Sequence, residues 1–376
     1  MMLIRRRLAA ALMAVAAAVG SRGRLCAEDL RVPAPAEEIA VFPFEDLSAA
    51  AAPAEEIGER FREALEARGL RVLRPDATEA FLRRHRVRWV GGISREVGKS
   101  LREETGAGAV LVASVDLFDA GSVPRFALTA RLVSAGPEPR ILWMDAASGA
   151  GDEKPGVLDL GLVYDVALLE ERAIDRLAGS LDPVWRLGHV KRPGPEKAAR
   201  SRRPRSFFRS PEGAGAWKAA AKTAVLPFAN GTTAPDAGQI VTLQIVRALV
   251  NGSNLEVLEP GVVRETLLQS RLIQEEGLSV PQADLLRAVL GVDLALFGEV
   301  TEYVEGGPAG FEPAVDFSVR AIDTQRGQVI WSSISQERGF EGAVFFGLGR
   351  IPTAHLLTSE MSRSLVATLE GPKGAR

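Results

Sequence analysis

The sequence predicts an α/β protein built as two tandem βαβααβββα units, each a mixed sheet with helices packed against it. Three observations carry this. "IAVFPF" at residues 39–44 returns as "TAVLPF" at 223–228. Later landmarks keep nearly the same separation: 184 residues from Val41 to Val225, 185 from Gly106 to Gly291, and 188 from Trp143 to Trp331 and from Leu181 to Leu369. A duplicated domain with a few loop residues inserted drifts in this way. Finally, 376 residues with 46% hydrophobic and 25% charged side chains suffice for two domains with a core each. The units are placed at 38–185 and 221–371, with 186–220 between them.

In the second unit the strand at 223–228 leads through "ANGTTAPD" into a helix whose Ile240, Leu243, Val246, Leu249 and Val250 form a stripe at helical spacing, stopped by Gly252. "LEVL" is a short strand, and Pro260 suits the first turn of the next helix because proline has no N–H to leave unpaired there. Ser279 and Gln282 make a capping box for a third helix, which Gly291 closes. Strands follow at 293–303, 314–323 and 328–336, the last two joined by "DTQRGQ" with Gly327 in the left-handed conformation. A helix over 353–369 carries Leu356, Leu357, Met361, Leu365 and Leu369.

The first unit repeats the order. Ile57, Phe61 and Leu65 line its first helix, which ends at Gly69; "RVL" is the second strand, and Asp76 with Glu79 caps the second helix. Ser94 starts the third helix, strands follow at 108–118, 126–133 and 140–145, and Leu168, Leu169, Leu177 and Leu181 belong to the last helix. Trp143 and Trp331, at equivalent strand positions, are read as packing residues.

Residues 189–222 hold ten Lys or Arg and two Glu with almost no apolar periodicity, so 186–220 is read as a basic flexible linker. Arg202, Arg203, Arg205 and Arg209, with Phe207 and Phe208 among them, are candidates for contact with an anionic surface, either lipid or cell wall. The formal net charge of −2 gives no global pull toward polyanions.

At the amino terminus, Arg5, Arg6 and Arg7 precede an apolar run from Leu8 to Val19, the layout of a secretory signal at 1–27. That run is shorter than the ~20 residues a membrane-spanning helix needs. Cys26 sits where a bacterial lipoprotein carries its acylated cysteine, but Gly23, Arg24 and Leu25 make a poor lipobox. Cleavage after Ala27 is the reading, and lipidation of Cys26 the alternative. The exported chain is expected in the periplasm, away from nucleic acid.

No catalytic pattern stands out. His85, His189 and His355 offer no pair on one face, no Gly-x-Ser-x-Gly elbow occurs, and a chain cleaved after Ala27 has no thiol. Asp116 with Asp119, and Asp293 with Glu299, are read as solvated strand-edge or cap residues. No cofactor, metal or enzymatic activity is expected. Candidate partner contacts are Asn230, Thr232 and Asp236 in the loop after the second Pro-Phe, and Phe345 and Phe346 before the last helix.

"AVLPFAN", "LGVDLALFGEVTEY" and "VRAIDTQRGQVIWSS" together resemble the bacterial envelope domains of CsgG, LpoB and the amino-terminal domain of TolB. The likeness spans most of 221–371; the first unit matches more weakly, because "VSAGPEPRILW" lacks the Asp and Gly of the turn. The resemblance implies a non-enzymatic protein that acts on other envelope proteins in assembly, secretion or regulation. The connections at 119–124 and 305–313 are too short for membrane-inserted strands of ~9–11 residues each. The alternative function is an oligomeric scaffold of a flagellar or secretion machine whose basic linker touches lipid, which would make the chain a homo-oligomer; a hydrolase ranks third.

Overall fold

The computed structural model describes residues 37–153, 161–187, 202–211, 217, 222–272, 277–307, 311–341 and 349–369. The signal segment, Cys26, Phe345 and Phe346 lie outside them.

The first unit begins with β1 (Ile39–Val41) and β2 (Glu45–Asp46), continues through helices α1 (Ala54–Ala67), α2 (Pro75–Arg84) and α3 (Arg95–Thr105), and then runs β3 (Ala109–Asp119), β4 (Arg125–Ser134), β5 (Ile141–Ala150) and α4 (Val166–Leu187). Its sheet is ordered β1-β3-β4-β5, with β2 also on β3; β1 and β2 run parallel to β3, and the rest is antiparallel. The "RVL" strand reduces to one bridge, Ile39 to Val72. Helix α2 starts with Pro75 at its first position, so Arg74 is the N-cap and Asp76 falls inside the first turn rather than capping it. Ser94 does cap α3, accepting from the N–H of Val97.

The second unit follows the same order: β7 (Lys222–Val225), β8 (Ala229–Asn230), α5 (Ala237–Gly252), β9 (Glu256–Val257), α6 (Pro260–Gln269), α7 (Val280–Leu290), β10 (Leu294–Val304), β11 (Ala314–Asp323), β12 (Gln328–Arg338) and α8 (Ala354–Leu369). The expected turn is present: Gly327 has φ 64°, and Asp323 Oδ1 accepts from the N–H groups of Gln325 and Arg326. Before it lies β6 (Ser206–Arg209), antiparallel on β12, so this sheet is ordered β6-β12-β11-β10-β7-β9 with β8 on β10. The segment expected to be a flexible linker therefore contributes a strand, and helix α4 reaches Leu187 at its other end. Ser-Phe-Phe-Arg has no alternation of its own, and the otherwise unpaired edge of β12 supplies its hydrogen bonds.

In each unit one sheet face packs against the first and last helices. Leu111, Ala113, Leu128 and Leu132 meet α1 and α4; Leu296, Val319, Phe317 and Trp331 meet α5 and α8. Phe44 and Phe228, from the two Pro-Phe pairs, are both buried in these cores. The opposite face is covered at one end by the two middle helices, α2 and α3 against Val110, Val112 and Val133, and α6 and α7 against Ala295, Phe297 and Ile322.

Candidate interaction site: a covered sheet face and its open twin

Beyond those middle helices, the rest of the first sheet's second face carries Ser114, Thr129, Arg131, Met144 and Ala146, all buried. Register shows that these lie together: Thr129 pairs with Ser114 and Ala146, and Arg131 with Val112 and Met144. What covers them is the second unit. Met144, together with Leu47 from the first Pro-Phe loop, belongs to the apolar core of the second unit, which α5 lines along its length. Helix α5 is consequently buried on every side, from Ala237 through Leu249, as befits a helix between two sheets. Gln244, Arg247 and Asn251 of α5 bond to Thr129, Asp145 and the carbonyl of Met144, so this side of the helix meets the first sheet while the rest of its apolar surface packs within the second unit.

Polar groups are buried in this seam, and they are paired. Arg131 and Glu259, the N-cap of α6, have side chains only 3% and 0% exposed. The guanidinium presents a fork, Nη2 to Oε1 at 2.8 Å and Nε to Oε2 at 3.0 Å, while Nη2 also donates to the carbonyl of Gly91. Glu259 accepts further from the N–H groups of Gly261 at 3.3 Å and Ile93 at 3.4 Å. Backbones touch here: a Cβ on Gly261 would lie 2.4 Å from both the nitrogen and the oxygen of Ile93. Arg264 of α6 stacks 4.4 Å above the ring of Trp89.

A second cluster lies deeper. His355, in the first turn of α8, has Nε2 3.0 Å from Asp116 Oδ2, and Thr129 donates to the same carboxylate oxygen. Ser114 donates to the other oxygen at 2.6 Å. Gln244 Nε2 donates to Thr129 at 3.0 Å, and Arg247 Nε donates to Gln244 Oε1 at 3.0 Å while its guanidinium pairs with Asp145. Asp116 was expected to be solvated. It is buried, because its strand continues under α8 instead of ending at solvent.

The two post-Pro-Phe loops also meet this seam. Glu45 accepts from Trp89 Nε1 at 2.9 Å and from Gln239 Nε2 of α5 at 2.6 Å. Burial pushes its pKa up, those hydrogen bonds and the charge of Arg131 opposing. Burial and the nearby Asp46 likewise raise Asp236, which stands before α5 without a side-chain capping bond. Asn230 and Thr232 form a self-contained turn: Asn230 Oδ1 accepts from Thr232 N and Oγ1, and its amide donates to the carbonyls of Ala234 and Pro235.

Among the described residues, the second unit's equivalent face has no such cover. Arg320 pairs with Phe297 and Ser332 as Arg131 does with Val112 and Met144, and Ser318 pairs with Glu299 and Ile334 as Thr129 does with Ser114 and Ala146. Yet Glu299 and Arg320 are exposed, Ser318 and Ser332 half-buried, and Ile334 is 49% exposed. Arg320 has no ion-pair partner among the described residues.

The four candidate arginines divide. Arg202 is buried, donating to Glu337 at 3.0 Å and to the carbonyls of Arg338 and Glu341 at 2.8 and 2.7 Å. Arg209 donates to the carbonyls of Thr368 and Leu369 at the end of α8. Both are thus committed to the fold, whereas Arg203 and Arg205 are exposed. Among the described residues, no group of three or more His, Cys, Asp or Glu side chains could hold a metal ion, and no helix is long and apolar enough to cross a membrane.

No family model and no curated protein matches the chain. Solved structures to which it is similar include the PelC dodecamer from Paraburkholderia phytofirmans, at 20% identity over 43% of this chain and 93% of that one, with a TM-score of 0.30. Another is the lipoprotein GNA1162 from Neisseria meningitidis, at 21% identity over 34% of this chain and 87% of that one, with a TM-score of 0.25. A third is the C-terminal domain of LpoB from Escherichia coli, at 18% identity over 31% of this chain and 83% of that one, with a TM-score of 0.22.

Proposed function

We propose that this is a periplasmic protein of the cell envelope that acts without catalysis, by holding a partner protein on the open sheet face of its second unit. One observation carries the reading: among the described residues, the same five sheet positions are buried under helices and polar pairs in the first unit and left open in the second. Arg320 stands where Arg131 stands, without a counterpart of Glu259 among the described residues. A partner that lays a helix on this face and offers a carboxylate to Arg320 would repeat the contact the chain already makes within itself.

A second copy is a poorer fit than a different protein. Continuing the head-to-tail packing would bring α1 and α4 onto the face, and their outward surface is charged, with Glu55, Glu56, Glu59, Glu63, Glu171 and Asp175 exposed. Arg74 occupies the N-cap position that Glu259 holds in the second unit and would meet Arg320 with like charge.

The test is site-specific photo-crosslinking in the native envelope, with the reactive side chain at Ser318, Arg320 or, as a control on α4, Glu171. Adducts with one envelope protein from Ser318 and Arg320 and none from Glu171 are expected. Adducts to the chain itself, or the same pattern from all three positions, would reject the open face as the binding site.

A further inference from the structure

Strand β6 is tied down at both ends and bare in the middle. Arg202 is held by Glu337 and two carbonyls, and Arg209 by the last carbonyls of α8. Between these anchors stand Arg203, Arg205, Phe207 and Phe208, all exposed. Successive strand residues point to opposite faces, so a Phe-Phe pair inside a sheet would bury at least one ring. Here Phe207, beside buried Ser333 on one face, is 56% exposed and Phe208, beside Ser332 on the other, 53%, because both rings flank the free edge of the outermost strand. Arg203 and Arg205 have no ion-pair partner among the described residues; Arg205 donates only to the neutral Gln336.

Two exposed aromatic rings cost apolar hydration that no contact within the described residues offsets. Two unpaired guanidinium groups beside them favour a surface that is apolar beneath and negatively charged on top, which describes the headgroup boundary of an anionic phospholipid bilayer. The geometry points to β6 as a membrane-surface strap whose free edge meets an anionic bilayer: Phe207 and Phe208 enter the headgroup region while Arg203 and Arg205 pair with lipid phosphates, and buried Arg202 and half-buried Arg209 hold the strap to the sheet. A fixed strand binds such a surface with less ordering cost than a loop of the same composition. The inference does not require a protein on the open sheet face, although Phe208 lies beside Ser332 of that face.

Flotation of the full-length chain with phosphatidylglycerol–phosphatidylcholine vesicles, and with phosphatidylcholine vesicles alone, tests this. Binding to the anionic vesicles is expected, weakening as salt is raised and absent on phosphatidylcholine. Arg203→Ser with Arg205→Ser should lower partitioning about 25-fold, at roughly fivefold per charge. Phe207→Ser with Phe208→Ser should also lower it while leaving the salt dependence in place. All four side chains are exposed, so thermal unfolding of both variants should match the parent and keep the comparison free of misfolding. Equal binding by the variants, equal binding to phosphatidylcholine, or retention on a soluble polyanion such as heparin without vesicle binding would each overturn the strap.

Discussion

The seam's energetics concentrate in a few side chains, with Arg131 and Glu259 the sharpest case. A buried ion pair stabilises little relative to an apolar pair, but breaking one strands a charge in a medium that cannot solvate it. Arg131→Ala, or Glu259→Gln, should each cost about 3–5 kcal/mol in denaturant unfolding. The double variant should cost less than the sum of the two, since the second change has no charge left to abandon; strict additivity would show that the pair is not coupled. Glu45 makes a prediction about pH. Its folded pKa is raised, chiefly by burial, so the folded state holds the proton more tightly than the unfolded chain does. That contribution is complete below the ordinary glutamate value of about 4.3 and is lost as pH rises through the folded pKa. Denaturant midpoints of the parent and Glu45→Gln, compared from about pH 4 to neutrality, should therefore show the parent losing ground as pH rises. A rising relative stability would contradict the burial of Glu45 between Trp89 and Gln239.

Among the elements, helices and long strands were legible because their signals are local. Apolar spacing, Ser94, Gly106, Gly291 and the Asp323 to Gly327 turn each fix a boundary within a few residues of themselves. Strand β6 was illegible for the opposite reason: four residues in a basic, proline-flanked stretch have no periodicity to read, and their strand state comes from the distant edge of β12. The same contrast separates the arginines, since composition puts all four on one cationic stripe while tertiary contacts withdraw two of them. Stability measurements should reproduce the division. Arg202→Ala removes charge-assisted hydrogen bonds to Glu337 and two carbonyls, and should cost about 1.5–3 kcal/mol. Arg203→Ala should stay within about 0.5 kcal/mol of the parent, as exposed substitutions do. Similar losses from both would mean that β6 is not anchored through Arg202.

For the whole molecule, duplication was readable from spacing alone, whereas the relation between the copies was not. A repeat says that two sheets exist; it does not say that the helices of one lie on the sheet of the other. The nearest signal was the composition of α5, apolar on faces that a single sheet cannot cover, together with Arg131 and Thr129 alternating along an otherwise apolar strand. Because Leu47 and Met144 of the first unit sit in the second unit's core, neither unit can open without exposing part of the other. The units should therefore melt together: calorimetry should give one transition whose van't Hoff and calorimetric enthalpies agree for the whole chain. Met144→Asp places a carboxylate against the apolar face of α5 and removes the contact without touching the core beneath α1 and α4. It should uncouple the units, giving two transitions or a van't Hoff enthalpy near half the calorimetric one. Two transitions in the parent would mean that the covered sheet face is a weak contact, and the open twin in the second unit would then lose its strongest argument as a place where a partner binds.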